Sequence, residues 1–542
     1  MKAGGLSLVG RSLDIAVRIA CVGGGPGGLF LGALLRRELP DCEIVVFERN
    51  QAGDAFGFGV VFSNATLGGI DAADPVLRDA LLSHGRRWDA IEVQVHGESL
   101  RCGGNGMAAI VRSTLLRLLQ ERARAGGAEL RFETEVTSLD ELEGFDLVVA
   151  ADGANSRLRE TFADVFRPTV EEASAKFIWL ATTYPYDGLT FVHRAGPDGA
   201  FAAHAYPVSD ELSTFIVETD EDTWRRAGLD EFDPDQPPGP SDDRSRRYLE
   251  ELFADQLDGH ALLANNSRWG NFRTLRTSRW SHGRLVLLGD AAHTAHFSVG
   301  SGTKMAMEDA IVLARTLGEH PDDLERALDE YEAERRPAVE HVQAAAVPSL
   351  AWWEHFGRYQ AALEATQFTF HFLSRSITRG NLARRDPEFI AAVDRWWRER
   401  HGAPPLRTPL ESEVGTFTGR LAALRREDGR SWLVGDGQQV ELVAPPSEGA
   451  ASPPSAGWLL ELADDQDRTA VEQDLQHRFD TAACPLLVVE GGDHSVRTLV
   501  AEWARMEQGI PVALLGDHNE DEAETLVLSG RTDLVVSPVG GR

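Results

Sequence analysis

Three glycines, Gly23, Gly25 and Gly28, stand in the spacing Gly-x-Gly-x-x-Gly, and Glu48 follows twenty residues after the last. This set suits a pyrophosphate held through backbone groups. Gly23 permits a tight turn, Gly25 lets the backbone approach the phosphates, Gly28 lets a helix pack close to a strand, and Glu48 bonds a ribose hydroxyl. Pro26 and Gly27, inside the turn, and Arg49, beside the acid, belong to the same cofactor-binding set. A second string, Asp152-Gly153-Ala154-Asn155-Ser156-Arg157-Leu158-Arg159, opens as an ordinary strand-end turn but is far less common as a whole. A third, Gly289-Asp290-Ala291-Ala292-His293, is followed by Gly300-Ser301-Gly302 and Thr303. An aspartate at a strand end can bond a ribityl hydroxyl. A helix amino terminus behind glycines can approach a flavin ring and stabilise its negative charge on reduction.

Each motif needs a strand to deliver it. Arg18–Val22 is a short apolar run that meets the glycine cluster, residues 29–37 read as a helix, and Glu43–Phe47 reads as a second buried strand. The runs DLVVAA (146–151) and RLVLL (284–288) precede the other two motifs. Unbroken apolar runs of this kind suit a parallel sheet covered on both faces. Between about 165 and 280 the pattern changes to β-rich segments joined by turn residues, such as KFIWLATTY and GAFAAHAYP, which predict antiparallel strands. From Met305 to about His401 the chain reads as mostly helical.

The three motifs, in this order, resemble the single-component FAD-dependent aromatic hydroxylases over roughly residues 17–400. The resemblance implies a fold of the p-hydroxybenzoate hydroxylase type: a Rossmann-like α/β FAD-binding domain (17–164 and 281–400, with its helical portion) and an inserted antiparallel-sheet substrate domain (165–280). It implies that the glycine motif holds the ADP half of FAD. The motif at Asp152-Gly153 serves FAD and the nicotinamide cofactor, and Asp290 meets the ribityl chain. Arg112, in IVRSTLLRLL, matches the arginine near the FAD pyrophosphate. NADH or NADPH is then the electron donor, dioxygen the co-substrate, and a C4a-hydroperoxyflavin the electrophile that attacks the ring.

Two departures from the usual pattern narrow the resemblance. Phe297 and Lys304 stand where a proline and an asparagine are usual, in GDAAHTAHFSVGSGTKMAMEDA. This variant, with GFGVVFSN (57–64), AHAYPVSDELSTFIVE (203–218) and SRSITRGNLARRDPEF (374–389), resembles a branch acting on salicylyl-CoA and 2-aminobenzoyl-CoA. A thioester withdraws electrons, so the ring needs a phenol or aniline donor, and 5-hydroxylation of salicylyl-CoA to gentisyl-CoA is the expected reaction. A free or carrier-bound aromatic, such as a tryptophan derivative, or 2-aminobenzoyl-CoA is the alternative within the class; a non-catalytic flavin-binding redox partner is the alternative outside it. His296, Phe297, Ser298, Val299 and Gly300 are expected beside the flavin ring, with Phe56, Phe58 and Val60 from the preceding loop. His204 and Tyr206 lie on a substrate-domain strand, where a satisfied core role fits His204 as well as catalysis does, so no acid or base is assigned. Arg358, Arg375, Arg379, Arg384 and Arg385 form a basic cluster that could meet CoA phosphates, and that equally suits a salt-bridged helix face.

Composition sets the outer limits. A net charge of −31 argues against broad binding to nucleic acid or to anionic membranes. Four cysteines without metal-type spacing predict reduced thiols, no metal site and a cytoplasmic location. Residues 1–16 read as a flexible extension, and no apolar run is long enough to span a bilayer. After Pro404-Pro405 comes a third region, 406–542. PPLRTPL and GIPVALLGDHNEDEAETLVLSGRTDLVVSP resemble the start and end of an old-yellow-enzyme barrel. About 135 residues are far fewer than the ~250 of a full barrel, so a reduced remnant without FMN is expected, serving structure or subunit contact in a homodimer.

Overall fold

The computed structural model describes residues 17–55, 57–232, 240–296, 302–447 and 453–538. Two compact units emerge: Met1–Ile91 with Asn105–Leu350, and Glu92–Gly104 with Ala351–Arg542. The expected extension at 1–16 lies outside the described residues.

In the first unit a six-stranded sheet runs in the order Ser281–His282, Leu285–Leu287, Leu147–Ala150, Arg18–Val22, Glu43–Phe47, Glu129–Arg131. All neighbours are parallel except the first pair, a hairpin. Parallel strands need crossovers that cover both sheet faces, which is why the central strands carry unbroken apolar runs. Ile19, Ala20, Val148, Val149 and Val286 are fully buried. The helix Pro26–Glu38 packs against both Arg112–Ala125 and Gly302–Glu319 beside this sheet. The carboxyl ends of four adjacent strands therefore present Gly23, Glu48, the Asp152 turn and the Asp290 turn along one edge, the usual ligand side of an open α/β sheet.

The same unit holds an antiparallel sheet in the order Leu262–Ala264, Thr169–Thr182, Ser213–Thr219, Ala200–Pro207, Leu189–Ala195, with Gly270–Arg276 also pairing with Thr169–Thr182. Side chains alternate across the pleat. Ile178, Leu180, Phe201, Ala203, Phe215 and Val217 point to one face and form a core with Leu249, Phe253 and Leu257 of the helical segment that follows. Phe177, Trp179, Phe191, His204, Tyr206, Ile216 and Glu218 occupy the other face. A small sheet of Gly59–Ser63, Met107–Val111 and Arg86–Trp88 completes the unit.

The second unit is built on a closed seven-stranded barrel: Leu421–Glu427, Arg430–Gly435, Gln438–Val443, Gly457–Leu462, Leu487–Gly491, Val512–Leu515 and Leu534–Pro538. Three βα crossovers supply its parallel part through the helices Arg468–Phe479, His494–Met506 and Glu520–Ser529. The rest is an antiparallel meander of the first three strands. Tight hairpins replace crossover helices there, so fewer residues close the barrel than eight βα repeats would need. Leu424, Leu433, Val440, Leu459, Val488, Ala513 and Val536 fill its core. Helical segments 351–362, 365–373 and 379–401 belong to this unit, so the division expected near 400–406 falls inside it.

A buried polar knot ties those helices to the barrel. Glu502, 2% exposed, accepts hydrogen bonds from the Tyr359 hydroxyl (2.5 Å) and His371 Nε2 (3.2 Å), and pairs with Arg531 at 3.2 Å. Trp352 Nε1 donates to His371 Nδ1 at 2.9 Å. Burial pushes the Glu502 carboxyl up, but its hydrogen bonds and the Arg531 charge outweigh burial and hold it down at about 2. Burial and the same arginine lower His371 to about 4. Both depressed values have one sign: stability is complete above the unfolded pKa and is lost as pH falls, from about 6.5 for His371 and 4.5 for Glu502. Glu502→Ala leaves Arg531 unpaired and should destabilise this unit by about 3–5 kcal/mol in urea unfolding. In the wild type, the unfolding midpoint should begin to drop as pH falls below about 6.5; a flat midpoint down to pH 4 would contradict the assignment.

Candidate active site

The strand Arg18–Val22 ends in Gly23, whose φ is +119°, and a Cβ there would lie 2.1 Å from the Ala151 carbonyl oxygen. A Cβ on Gly28 would lie 2.2 Å from the Gly23 carbonyl oxygen. Both positions exclude side chains for steric reasons. Gly25 caps the helix Pro26–Glu38 without a side-chain bond, with Pro26 in the first turn, so the first N–H groups face the groove beyond. Glu48 accepts from Gly24 N (2.7 Å) and Asn50 Nδ2 (2.7 Å). Around these residues lie two hollows whose linings share Gly25, Glu48 and Asn50. One, of about 110 Å³, is lined by Gly24, Gly25, Pro26, Glu48 and Arg112, and the other, of about 210 Å³, by Gly23, Glu48, Arg49, Asp152, Gly153 and Arg157. Gly27 packs at the floor, where a Cβ would meet Leu288.

The other two motif loops are fixed against each other. Arg159, 5% exposed, donates to the carbonyls of Ala154 (2.7 Å) and Ala291 (3.0 Å), joining the Asp152 turn to the Asp290 turn. Asp309, fully buried in the helix Gly302–Glu319, accepts from Gly289 N (3.0 Å), His293 Nε2 (2.8 Å) and Arg335 Nε (2.7 Å). Burial opposes its charge, but His293 and Arg335 more than compensate and depress its pKa. Asp290 keeps solvent exposure in the turn after Leu285–Leu287, yet protein surrounds its carboxyl closely. Burial raises its carboxyl despite His293 and Arg112. Gly302, at the start of its helix, stands so that a Cβ would approach Asp290 at 4.0 Å, with half-buried Thr303 next to it. The residues fit FAD: a glycine cradle and helix amino terminus for the pyrophosphate, Glu48 for the ribose, and Asp290 for the ribityl chain.

Arg112 lies where this groove meets a further cleft. Its backbone N–H bonds the Phe58 carbonyl at 2.8 Å as the chain leaves the pairing of Gly59 with Val111. Burial pulls its guanidinium below the usual range, offset in part by Asp290 and Tyr206. The cleft, about 270 Å³, is lined by Gly57, Gly59, Arg112, Phe177, Trp179, Asn265, Asn266, Ser267 and Arg268. Its floor is the outward face of the antiparallel sheet. Burial pushes the Tyr206 phenol on that face up to about 12. Val60 is buried nearby. His204 Nε2 lies 2.7 Å from Glu218 Oε1, and His296 Nε2 lies 4.0 Å from Glu218 Oε2.

Of the residues expected at the site, Gly23, Gly25, Pro26, Glu48, Arg49, Arg112, Asp152 and Gly153 line the two hollows, while Gly302 stands near Asp290 in the neighbouring turn. His296 stands beside Glu218. Phe56, Phe297, Ser298, Val299 and Gly300 lie outside the described residues. The arginines expected for CoA belong to the second unit and are engaged there. Arg358 pairs with Glu507, and Arg379 with Asp394 and Glu524. Arg384 donates to Asn381, and Arg375 lies over the Phe372 ring. Arg385 closes the helix Arg379–Arg385 beside Gly104. Three residues at or beside the site escaped the sequence reading: Asp309, Glu218 and Arg268. The first two are acids inside otherwise apolar buried segments, a signal that could have found them. No comparable signal marks Arg268.

A fold with this groove, an aromatic-walled cleft opening beside it and an antiparallel substrate sheet defines a flavin-dependent monooxygenase of aromatic compounds. The chain belongs to the FAD-dependent aromatic monooxygenase family. The family model for an FAD binding domain matches residues 145–346. A salicyloyl-CoA 5-hydroxylase from a Streptomyces species is 58% identical over 521 residues, covering 96% of this chain and 99% of that protein. The 3-hydroxy-4-methyl-anthranilyl-[aryl-carrier protein] 5-monooxygenase of Streptosporangium sibiricum is 39% identical over 337 residues, 62% of this chain and 89% of that protein. Among solved structures, 2-methyl-3-hydroxypyridine-5-carboxylic acid oxygenase shares the fold with a TM-score of 0.52 at 20% identity, over 68% of this chain and 98% of that one.

Asp309→Ala should unseat the Gly289–His293 turn. Purified protein should keep under about a tenth of the wild-type FAD and lose about 3–5 kcal/mol of stability, because Arg335 stays buried without its partner. Flavin absorbance and urea unfolding read both; wild-type values of each would show that the turn holds without Asp309.

Proposed function

We propose that this chain hydroxylates the ring of salicyloyl-CoA at position 5, using NADH or NADPH and dioxygen. The observation that carries the reading is the 58% identity to a salicyloyl-CoA 5-hydroxylase over nearly the whole chain, a match that extends through the C-terminal barrel. Bound FAD supplies the oxygen activation. The protein's own residues do the rest. Phe177 and Trp179 hold the ring in the cleft and keep water from it, while Arg112 meets the cofactor's phosphates at the junction.

A thioester leaves a long polar tail outside a cleft of this size. Asn265, Asn266 and Arg268 at its edge suit the amide groups and negative charges of that tail. Within this reading they take the role first assigned to the arginine cluster at 358–385, whose Arg358 and Arg379 are neutralised by acids. A cytoplasmic location is supported by four cysteines that form no disulfide, three of them buried, and by the lack, among the described residues, of any helix long and apolar enough to cross a membrane. The homodimer belongs to this reading too, and light scattering on the holoenzyme would check it.

The test is a panel of thioesters and free acids with NADH consumption and product mass as readouts. Salicyloyl-CoA should stimulate NADH oxidation and gain one oxygen, whereas salicylate should do neither. Arg268→Ala should raise KM for the thioester about tenfold with kcat little changed, the loss of one charge-assisted contact. Turnover of 2-aminobenzoyl-CoA or a carrier-bound ring in preference to salicyloyl-CoA would move the substrate assignment, and no hydroxylated product from any aromatic would end it.

A further inference from the structure

The cofactor hollow and the aromatic cleft share one stretch of chain as well as Arg112. Asp54 and Ala55 line the hollow, and Gly57 and Gly59 line the cleft. Close packing seats this stretch on the substrate sheet. A Cβ on Gly59 would lie 2.2 Å from Val208 and 2.7 Å from the Thr214 hydroxyl. A Cβ on Gly57, whose φ is +77°, would meet the Trp179 ring at 3.9 Å. Hydrogen bonds to backbone carbonyls tie the stretch at either side. Gln120, 7% exposed, donates from Nε2 to the Ala52 carbonyl at 2.9 Å, and the Arg112 N–H donates to the Phe58 carbonyl at 2.8 Å. Asn265 supplies a third tie, from the substrate domain. Its Nδ2 donates to the Ala55 carbonyl at 3.1 Å and makes a longer contact with the Gly57 carbonyl at 3.5 Å.

Asn265 can act as a tie because its own turn is held firmly. It follows the strand Leu262–Ala264, and its N–H donates to the Ser267 hydroxyl at 3.1 Å. Ser267, 3% exposed, donates that hydroxyl to the Trp179 carbonyl at 2.5 Å and its own N–H to Ser241 Oγ at 3.1 Å. The turn is thereby fixed to the strand that carries the aromatic wall, so the Asn265 amide reaches the Ala55 carbonyl with little ordering left to do. We propose that Asn265 is a positioning residue for the hydroxylation: it holds the chain at Ala55 and Gly57 as a wall between the cofactor groove and the cleft, which keeps the ring in place and water out. The consequence lies in the fate of oxygen. With the wall held, one oxygen atom bonds to the ring and the other leaves as water, reduced by the two electrons of NADH. With water admitted, both oxygen atoms leave with the same two electrons and two protons as hydrogen peroxide, and the ring is unchanged.

This inference rests on the salicyloyl-CoA reading, and half of its test needs no substrate. Asn265→Ala and Asn265→Asp both remove the amide donor. In the FAD-loaded variants, the peptide that carries Ala55 and Gly57 should exchange its amide hydrogens about three- to tenfold faster than in wild type, the population shift that one hydrogen bond controls, with flavin content unchanged. With salicyloyl-CoA, NADH consumption should continue while hydroxylated product per NADH falls by a similar factor and hydrogen peroxide makes up the difference. Asn265→Gln keeps the donor and should recover part of the coupling. The N-acetylcysteamine thioester of salicylate, which lacks the nucleotide tail, separates the wall from a tail contact. The same loss of coupling with this short thioester supports the wall. A raised KM for salicyloyl-CoA alone, with coupling intact, would assign Asn265 to the tail and overturn the proposal, as would wild-type exchange in both variants. Faster exchange in the variants, beside wild type that neither binds nor turns over salicyloyl-CoA, would overturn the parent reading while upholding the tie at Ala55.

Discussion

The buried carboxylate of Asp309 is the interaction on which the cofactor site depends. It gathers a backbone N–H from Gly289, the ring of His293 and the guanidinium of Arg335 onto one helix. A charge held at 0% exposure is stable only when such partners are complete, so the helix, the Asp290 turn and the helix that begins at Leu324 must form together. Arg159 extends the constraint to the Asp152 turn through the Ala291 carbonyl. The two loops that flank the cofactor groove are therefore positioned by buried charge, and the glycine loop is positioned by sterics.

The parallel sheet and the antiparallel sheet contribute different things. Parallel strands end together, and their ends give backbone N–H groups, turns and a helix terminus suited to phosphate and ribose. An antiparallel sheet has one face to spare once the other is packed on Phe253 and Leu257. On that face Phe177 and Trp179 form an apolar wall, with the Glu218 cluster beside it. Arg112 borders both regions, and so couples the cofactor groove to the aromatic cleft.

Much of this was legible in the sequence because backbone needs are written in glycine and in apolar runs. The strands Arg18–Val22 and Glu43–Phe47 follow from their residues, and the motif loops follow from strand ends. Asp309 was hidden because helical pattern reading counts apolar positions, whereas Asp309 occupies one: it sits four residues from both Met305 and Leu313 on the buried stripe. Glu218 was hidden likewise in a strand that is buried throughout. The barrel was underread because its meander begins at turns rather than crossovers. Asp428-Gly429, with φ of +49° and +75°, is a hairpin turn of the type that lets strands pair without a helix. The pairing of Arg358 and Arg379 with acids far along the chain had no local signal at all.

The central claim is that this fold directs one atom of dioxygen onto an aromatic ring carried by CoA. Turnover of salicyloyl-CoA by the FAD-loaded enzyme under ¹⁸O₂ tests it most directly. The account predicts a product with one ¹⁸O on the ring and none in the thioester carbonyl. A hydroxylated product carrying oxygen from water, or NADH consumption that yields hydrogen peroxide and leaves the ring unchanged, would contradict it.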